Sequence, residues 1–159
     1  MHPNVTAVVT AGQSLGIVIE PRHFAESTRT AAEAAAAIGV ELGQIVKSLV
    51  FTVDDRPVLA LVRGDRQLDE SKLAAAAGGA RCRRPDAEAV RSFTGFPVGG
   101  VPPFGHSTTL PVFVDAGLLG YREVWAAAGT PRVNFAVDPK RLVEATAGTV
   151  ADVTRGPST

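Results

Sequence analysis

The sequence has little of several features that would point to a specialised class of protein. Its single cysteine, Cys82, excludes a disulfide within the chain, as is typical of proteins in a reducing compartment. Its 16 basic and 16 acidic side chains cancel, unlike those of strongly cationic proteins, whose affinity for nucleic acids comes from neutralising phosphates. We therefore expect no DNA partner, and any contact with a polyanion must be local.

Long apolar runs are also missing. No stretch approaches the roughly 18 uninterrupted apolar residues that a membrane-spanning helix needs. Residues 1–20 lack the basic start and apolar centre of a secretory signal peptide. We therefore expect a cytoplasmic protein with no membrane partner.

Familiar catalytic motifs are absent as well. The sequence has no G-x-S-x-G elbow, no H-E-x-x-H zinc motif and no phosphate-binding P-loop. The histidines His2, His23 and His106 are not spaced as metal ligands. Cys82 lies between two arginines, which could lower its thiol pKa, but a lone cysteine is more often incidental than catalytic. We expect neither a metal nor a cofactor.

The length of 159 residues and the 45% of hydrophobic residues suit one domain with a real core. We assign that domain to residues 1–153 and expect a disordered tail at 154–159. Predicted strands and helices mix without regular alternation, which indicates an α+β or mixed α/β fold. We expect a mixed, mostly antiparallel sheet with packed helices.

The clearest predicted elements lie before residue 65. Residues 44–53 and 57–63 are apolar strands separated by a short polar turn, which predicts a central β-hairpin. Thr30 and Glu33 form a capping box at the start of an alanine-rich helix that Gly39 ends. We also predict helices at 3–13, 69–77, 86–93 and 139–145, and strands at 16–20, 110–114, 123–126 and 132–137.

Lys47 is out of place in its apolar strand. A lysine there must either reach the surface or point into a cavity. Because side chains alternate along a strand, Ser48 should point to the opposite face from Lys47.

Residues 94–110 show no periodicity and are rich in glycine and proline. Loops of this length are usually functional or disordered. Glycines allow the backbone to turn several amide donors toward one point, which can stabilise an oxyanion or a carbonyl oxygen. The alternative is a tight surface loop without a ligand.

The central part of the chain is also rich in basic residues. They lie within one stretch, whereas acidic residues are spread more evenly. This stretch is either a solvated face or a patch that follows phosphates. Its members are Arg63, Arg66, Lys72, Arg81, Arg83 and Arg84.

Two motifs together resemble those of the YbaK/ProX family of aminoacyl-tRNA deacylases. Residues 95–105 resemble the family signature G-x-x-x-G-G-x-x-P-x-G, and residues 44–51 resemble the strand that carries its functional lysine. The motifs lie about fifty residues apart, as in the family. The signature positions are Gly95, Gly99, Gly100, Pro103 and Gly105.

The resemblance implies a free-standing relative of the editing domain of bacterial-type prolyl-tRNA synthetases, which hydrolyses the ester bond of mischarged tRNA. It implies catalytic roles for Lys47, Gly99 and Gly100. The lysine would offer a positive charge to a phosphate or carbonyl, and the glycine backbone would position the ester. We expect the ammonium to face exposed loop amides across a shared cleft. The expected attacker is water, oriented by the ribose hydroxyl.

The resemblance also suggests residues that shape the substrate pocket: Ser48, Pro103, Phe104, Gly105, His106 and Asn134. Asn134 stands where the cysteine-removing branch commonly has an acidic residue, which argues against cysteine specificity. For His106 the alternative is a loop histidine bonded to the backbone.

The expected partner is the acceptor end of a mischarged aminoacyl-tRNA, with a synthetase as a second candidate. Two other interpretations stay open: a non-catalytic module of the same fold that binds aminoacyl-tRNA or a small ligand, and an accessory protein that works only on a synthetase. The presence of both Lys47 and the whole glycine loop favours the enzyme.

Overall fold

The predicted hairpin forms the middle of the larger of two sheets. In the computed structural model, which describes residues 1–156, strands β2 (Val46–Val53) and β3 (Arg56–Arg63) pair antiparallel along their whole length. Asp54 and Asp55 form the turn, with φ angles of 49° and 67°. Two left-handed residues match the right-handed twist of the strands they join.

Three short strands complete this sheet, in the order β4-β2-β3-β5-β8. They are β4 (Cys82–Arg83), β5 (Val112–Asp115) and β8 (Thr149–Ala151). The second sheet has the order β1-β7-β6 and contains β1 (Arg22–His23), β6 (Val124–Ala127) and β7 (Val133–Val137). The pairs β3–β5 and β5–β8 are parallel and the others antiparallel, so the predicted mixed, mostly antiparallel arrangement is confirmed.

Helices pack around the sheets, and they begin within one residue of their predicted starts. They are α1 (Pro3–Ser14), α2 (Ala31–Ile38), α3 (Glu70–Ala76), α4 (Ala87–Thr94) and α5 (Pro139–Thr146). Thr30 and Glu33 form the expected capping box, and Asp69, Asp86 and Asp138 each accept a first-turn N–H. Two 3₁₀ turns lie at Leu42–Gln44 and Ala116–Gly120. Within residues 1–156, no helix is long and apolar enough to cross a bilayer.

Both faces of the hairpin are buried, as its apolar sequence predicts. One face carries Val46 and Val50 and packs against α1, the second sheet and residues 96–104. The other face carries Phe51 and Val53 and packs against α3. The hairpin therefore separates two apolar clusters, and the apolar side chains of β2 are divided between them.

Residues 16–20, which we predicted to be a strand, form no strand and pair with none in the described part of the chain. Ile17 and Ile19 are buried while Val18 is 83% exposed, so the alternation is real. The N–H of Ile17 donates to the carbonyl of Gly12 at 2.8 Å and thereby ends α1. The apolar alternation reflects packing against the core and not sheet formation.

The prediction of a disordered tail from residue 154 is wrong for residues 154 and 155. Thr154 is 2% exposed and forms a β-bridge with Leu68. The N–H of Arg155 donates to the carbonyl of Gln67 at 2.9 Å. These backbone bonds tie the segment to the turn before α3, while residues 157–159 lie outside the described residues.

Truncating the hairpin core should be costly. Leu61 is fully buried in the first cluster, so Leu61→Ala should lower the free energy of unfolding by about 2–5 kcal/mol, measured by urea denaturation. Leu42 is 40% exposed, and Leu42→Ala should change it by less than about 0.5 kcal/mol. Equal losses in the two variants would contradict this assignment of the core.

Candidate functional site

A cavity of about 330 Å³ lies against the outer edge of β2. Strand β4 pairs with β2 only at Thr52 and Val53. At the other end, β6 forms an isolated β-bridge with Ile45, the residue before β2. Between these points the edge has no partner strand among residues 1–156. The remaining wall consists of residues 28–31, Ala34, Arg84, Pro85, Val90, Val98, Gly99, Val101, Ala127 and Asn134.

The unpaired edge presents backbone hydrogen-bonding groups to this cavity. The N–H of Gly64 donates to the carbonyl of Ile45, so odd-numbered residues of β2 turn their backbone groups toward β3. The N–H of Asp54 donates to the carbonyl of Arg81, so even-numbered residues face the β4 side. Ser48 and Val50 therefore direct their N–H and C=O groups to the open edge.

Ser48 also brings its side chain to the cavity wall. It lies on the same face as Val46 and Val50, toward the glycine loop. Its hydroxyl oxygen is buried and has no hydrogen-bond partner within the described residues. Because leaving a buried hydroxyl unpaired is costly, it is a natural contact for a ligand.

Lys47 lies on the opposite face of β2 from Ser48. It pairs across the hairpin with Val62, a member of the second cluster. Its ammonium donates to the backbone carbonyl of Arg66. Burial lowers the pKa of Lys47, and the charges of Asp65 and Asp115 oppose that shift.

The expectation that the Lys47 ammonium faces the glycine loop is therefore wrong for this structure. Phe96, Val101 and Phe104 of the loop pack in the first cluster, on the other side of the hairpin. Strand alternation separates positions 47 and 48, and the loop packs on the side of Ser48. Lys47 still belongs to the cavity wall, because the cavity extends along the strand edge.

The glycine loop, residues 95–111, is firmly held although it has no regular structure. The fully buried Thr94 hydroxyl donates to the carbonyl of Val90 at 2.8 Å and accepts from the N–H of Phe96 at 3.0 Å. The N–H of Ser107 donates back to the carbonyl of Thr94. These bonds fasten both ends of the loop to the end of α4.

Gly99 and Gly100 play different parts in this loop. Gly99 has φ 86°, and a Cβ there would lie 2.4 Å from Cγ of Arg29. Its N–H donates to no acceptor in the part of the chain that the structure describes, and it lines the cavity. The N–H of Gly100, in contrast, donates to the carbonyl of Pro97 at 2.9 Å. The expected exposed amide at Gly100 is thus engaged within the loop.

The rest of the signature lies away from the cavity wall. Pro103 is buried, Phe104 packs on Phe135 with ring centroids 5.9 Å apart, and a Cβ on Gly105 would contact Ala11. The Nε2 of His106 lies 2.7 Å from the carbonyl of Pro102. Their predicted contact with substrate has no support from this geometry.

The pKa of His106 is lowered by burial, against the opposing effect of its hydrogen bond to Pro102. Since a carbonyl only accepts, Nε2 carries the proton and donates. His106 therefore closes the loop on itself, as in the backbone-bonded alternative.

Asn134, on β7 of the second sheet, lines the cavity. It is 4% exposed, and its Nδ2 donates to the Thr28 hydroxyl at 2.7 Å. That hydroxyl in turn donates to the carbonyl of Pro131 at 3.0 Å. The Asn134 side-chain oxygen receives no hydrogen bond from residues 1–156, so it remains able to accept one from a ligand.

Thr28 and Arg29 of the cavity wall were not singled out from the sequence, and Arg84 was noted only as a member of the basic stretch. Thr28 and Arg29 directly precede the Thr30 helix cap, and Arg84 follows β4, so each comes from a short connection without a periodic pattern. Position beside a helix cap is the only local signal that could have drawn attention to the first two.

Cys82 is not an activated thiol. Burial, followed by the nearby charge of Glu70, raises its pKa to about 11. The idea that its arginine neighbours lower this pKa is therefore wrong, and the thiol stays protonated at neutral pH.

The close seating of the loop can be tested at Gly100. A Cβ there would lie 2.9 Å from Cα of Thr130 and 3.0 Å from the carbonyl carbon of Gly129, both backbone atoms. Gly100→Ala should lower the free energy of unfolding by about 1–3 kcal/mol, measured in urea. Gly120→Ala is the control, since nothing lies within 4 Å of its added Cβ, and it should change stability by less than about 0.5 kcal/mol. A neutral Gly100→Ala would show that the loop is not packed against this turn.

Known proteins with similar sequences share this architecture. Residues 25–145 match the family model for the aminoacyl-tRNA editing domain. A solved structure, described provisionally as a trans-editing enzyme for prolyl tRNA synthetase, is 46% identical, with a TM-score of 0.92 and coverage of 98% of this chain and 99% of that chain.

Two curated relatives differ in how much of their length is matched. EbsC of Enterococcus faecalis, named provisionally as a Cys-tRNA(Pro)/Cys-tRNA(Cys) deacylase, is 29% identical over 133 residues, covering 82% of this chain and 80% of EbsC. The proline–tRNA ligase of Maridesulfovibrio salexigens is 46% identical over 90 residues, which are 57% of this chain and 15% of the ligase. The chain thus spans only a small part of that ligase.

Proposed function

Because the chain belongs to the aminoacyl-tRNA editing domain family, which residues 25–145 match, we propose that it hydrolyses the ester between a wrongly attached amino acid and the terminal ribose of tRNA. The observation that carries this proposal is the cavity against the unpaired β2 edge. Its volume of about 330 Å³ suits a small ligand group. The printed descriptions of the trans-editing structure and of EbsC support the same reaction. Its setting would be the cytoplasm, where tRNA is charged.

The cavity wall offers donors and acceptors that suit an aminoacyl ester. The carbonyls of Ser48 and Val50 at the open edge can accept hydrogen bonds from the α-ammonium group of the amino acid. The N–H groups of these residues and of Gly99 can donate to the ester carbonyl. These amides would stabilise the negative charge that develops on that oxygen as water attacks.

No side-chain nucleophile is required for this step. Water adds to the ester carbonyl carbon, the bond to the ribose oxygen breaks, and that oxygen leaves with a proton as the ribose hydroxyl. An ester is more reactive than an amide, so placement and oxyanion stabilisation suffice. We assign orientation of the water to the adjacent ribose hydroxyl of the substrate. The Ser48 hydroxyl, buried without a partner in the described chain, would bond the substrate.

Lys47 is our candidate for the cation that meets a phosphate or carbonyl at the tRNA end. Its ammonium is held on the Arg66 carbonyl, where burial disfavours the charged form. An anionic group at the cavity would therefore attract it away from that site. Lys47 lies beside the part of β2 whose outer edge has no partner strand in the described chain, so a movement of its ammonium toward the cavity would break no backbone pair.

Asn134 bears on which amino acid is removed. Its side chain presents an amide to the cavity, and its Nδ2 is already engaged by Thr28. It offers no carboxylate of the kind that the cysteine-removing branch commonly has there. We therefore propose a substrate other than a cysteinyl ester, selected by the shape of the pocket. Such selection is modest, because one methylene changes the binding free energy by only about 1–3 kcal/mol.

The proposal is tested by incubating the protein with a panel of mischarged tRNAs and measuring ester loss. We expect at least one substrate to be hydrolysed. Ser48→Ala should reduce kcat/KM roughly tenfold, and Lys47→Ala by roughly 10- to 100-fold, as expected for loss of a neutral and a charged hydrogen bond. Ser71→Ala, on the exposed side of α3, should leave kcat/KM unchanged.

Other outcomes would identify the rival functions. Binding without hydrolysis of any ester would contradict the proposal and indicate an aminoacyl-tRNA binding module. Hydrolysis that begins only after a synthetase is added would indicate an accessory protein.

A further inference from the structure

Two arginines on the cavity wall have no carboxylate partner in the described chain. Arg29 precedes α2 and Arg84 follows β4, and both side chains are exposed. The ion pairs within residues 1–156 join Arg63 to Asp65 and Lys72 to Asp152. In a chain of zero net charge, the cavity wall therefore carries two positive charges that form no ion pair within residues 1–156.

Members of the basic stretch noted in the sequence make different contacts in the structure. Arg63 forms an ion pair with Asp65 and stacks on Tyr121. Lys72 forms an ion pair with Asp152 and donates a hydrogen bond to the carbonyl of Thr154. Arg84 has no such partner in the described residues and instead lies over the ring of Phe51, 5.5 Å from its centroid. Of the six basic residues, Arg84 is the one that lines the cavity.

Packing contacts hold the side chains of both arginines in place. The Phe51 ring that supports Arg84 is itself part of the cavity wall. The aliphatic stem of Arg29 lies over Gly99, whose missing side chain makes room for it. A guanidinium held in this way loses less side-chain freedom when it binds a ligand.

We propose that Arg29 and Arg84 bind backbone phosphates of the single-stranded 3′ end of tRNA, next to the cavity that receives the aminoacyl ester. This rests on the proposed function, since it is the ester that brings the RNA end to the cavity. A guanidinium matches a phosphate with two parallel hydrogen bonds. Two local cations explain how a chain of zero net charge can hold a polyanion. They would supply affinity for RNA and not for the amino acid.

The first test measures binding without catalysis. The probe is an uncharged RNA hairpin with the acceptor-stem sequence and a single-stranded 3′ end, titrated into the protein at several KCl concentrations. Arg29→Ala and Arg84→Ala should each weaken binding severalfold at low salt and reduce the slope of log Kd against log salt by about 0.7, as for one lost phosphate contact on single-stranded nucleic acid. Arg141→Ala, exposed on α5 and off the cavity wall, should match the wild type. Unchanged affinity and slope in the two cavity variants would overturn the proposal.

The second test separates phosphate binding from ester chemistry. On mischarged tRNA, each cavity variant should lose about as much in kcat/KM as it loses in hairpin affinity. On the same amino acid esterified to adenosine, which has no phosphate, both variants should equal the wild type. An equal loss on both substrates would overturn the proposal, because the arginines would then act on the ester. If the wild type hydrolyses neither substrate, the proposed hydrolysis fails, and the hairpin titration still decides the phosphate contacts. Circular dichroism and urea denaturation confirm that each variant is folded.

Discussion

Strand β2 is paired along its whole length on one side and only near its ends on the other, and this asymmetry organises the site. An unpaired edge usually invites association with another chain. Here it is enclosed by the segment before α2, the glycine loop and the second sheet, which makes the edge one wall of a cavity. Backbone groups of Ser48 and Val50 that would otherwise form a sheet become available to a ligand.

The same strand also divides the roles of its neighbouring side chains. Ser48 points to the loop side, where its hydroxyl is buried, and Lys47 points to the opposite side, where its ammonium rests on a backbone carbonyl. The glycine loop contributes shape through Gly100, whose N–H is engaged within the loop, and an unengaged amide through Gly99. In this account, catalysis depends on a fixed backbone surface, with charged side chains at its margin.

Local signals in the sequence predicted most of the fold. The hairpin, the Thr30 capping box and the aspartate helix caps were predictable because each depends on residues close together in the chain. The orientation of Lys47 was not, because alternation separates Lys47 from Ser48 without saying on which face a distant loop will pack. For a related reason the sequence did not single out Arg29 or distinguish Arg84 from the rest of the basic stretch, since the tertiary fold alone brings these two connections to one cavity.

Binding at the β2 edge is tested most directly by a crystal structure with a non-hydrolysable substrate analogue, an amino acid joined to the 3′ position of adenosine by an amide. We expect the aminoacyl group to lie along the outer edge of β2. Its carbonyl oxygen should accept from a main-chain N–H of Ser48, Val50 or Gly99, and the Ser48 hydroxyl should have gained a partner. An analogue bound elsewhere, with the β2 edge making no contact to it, would show that this edge is not the substrate site.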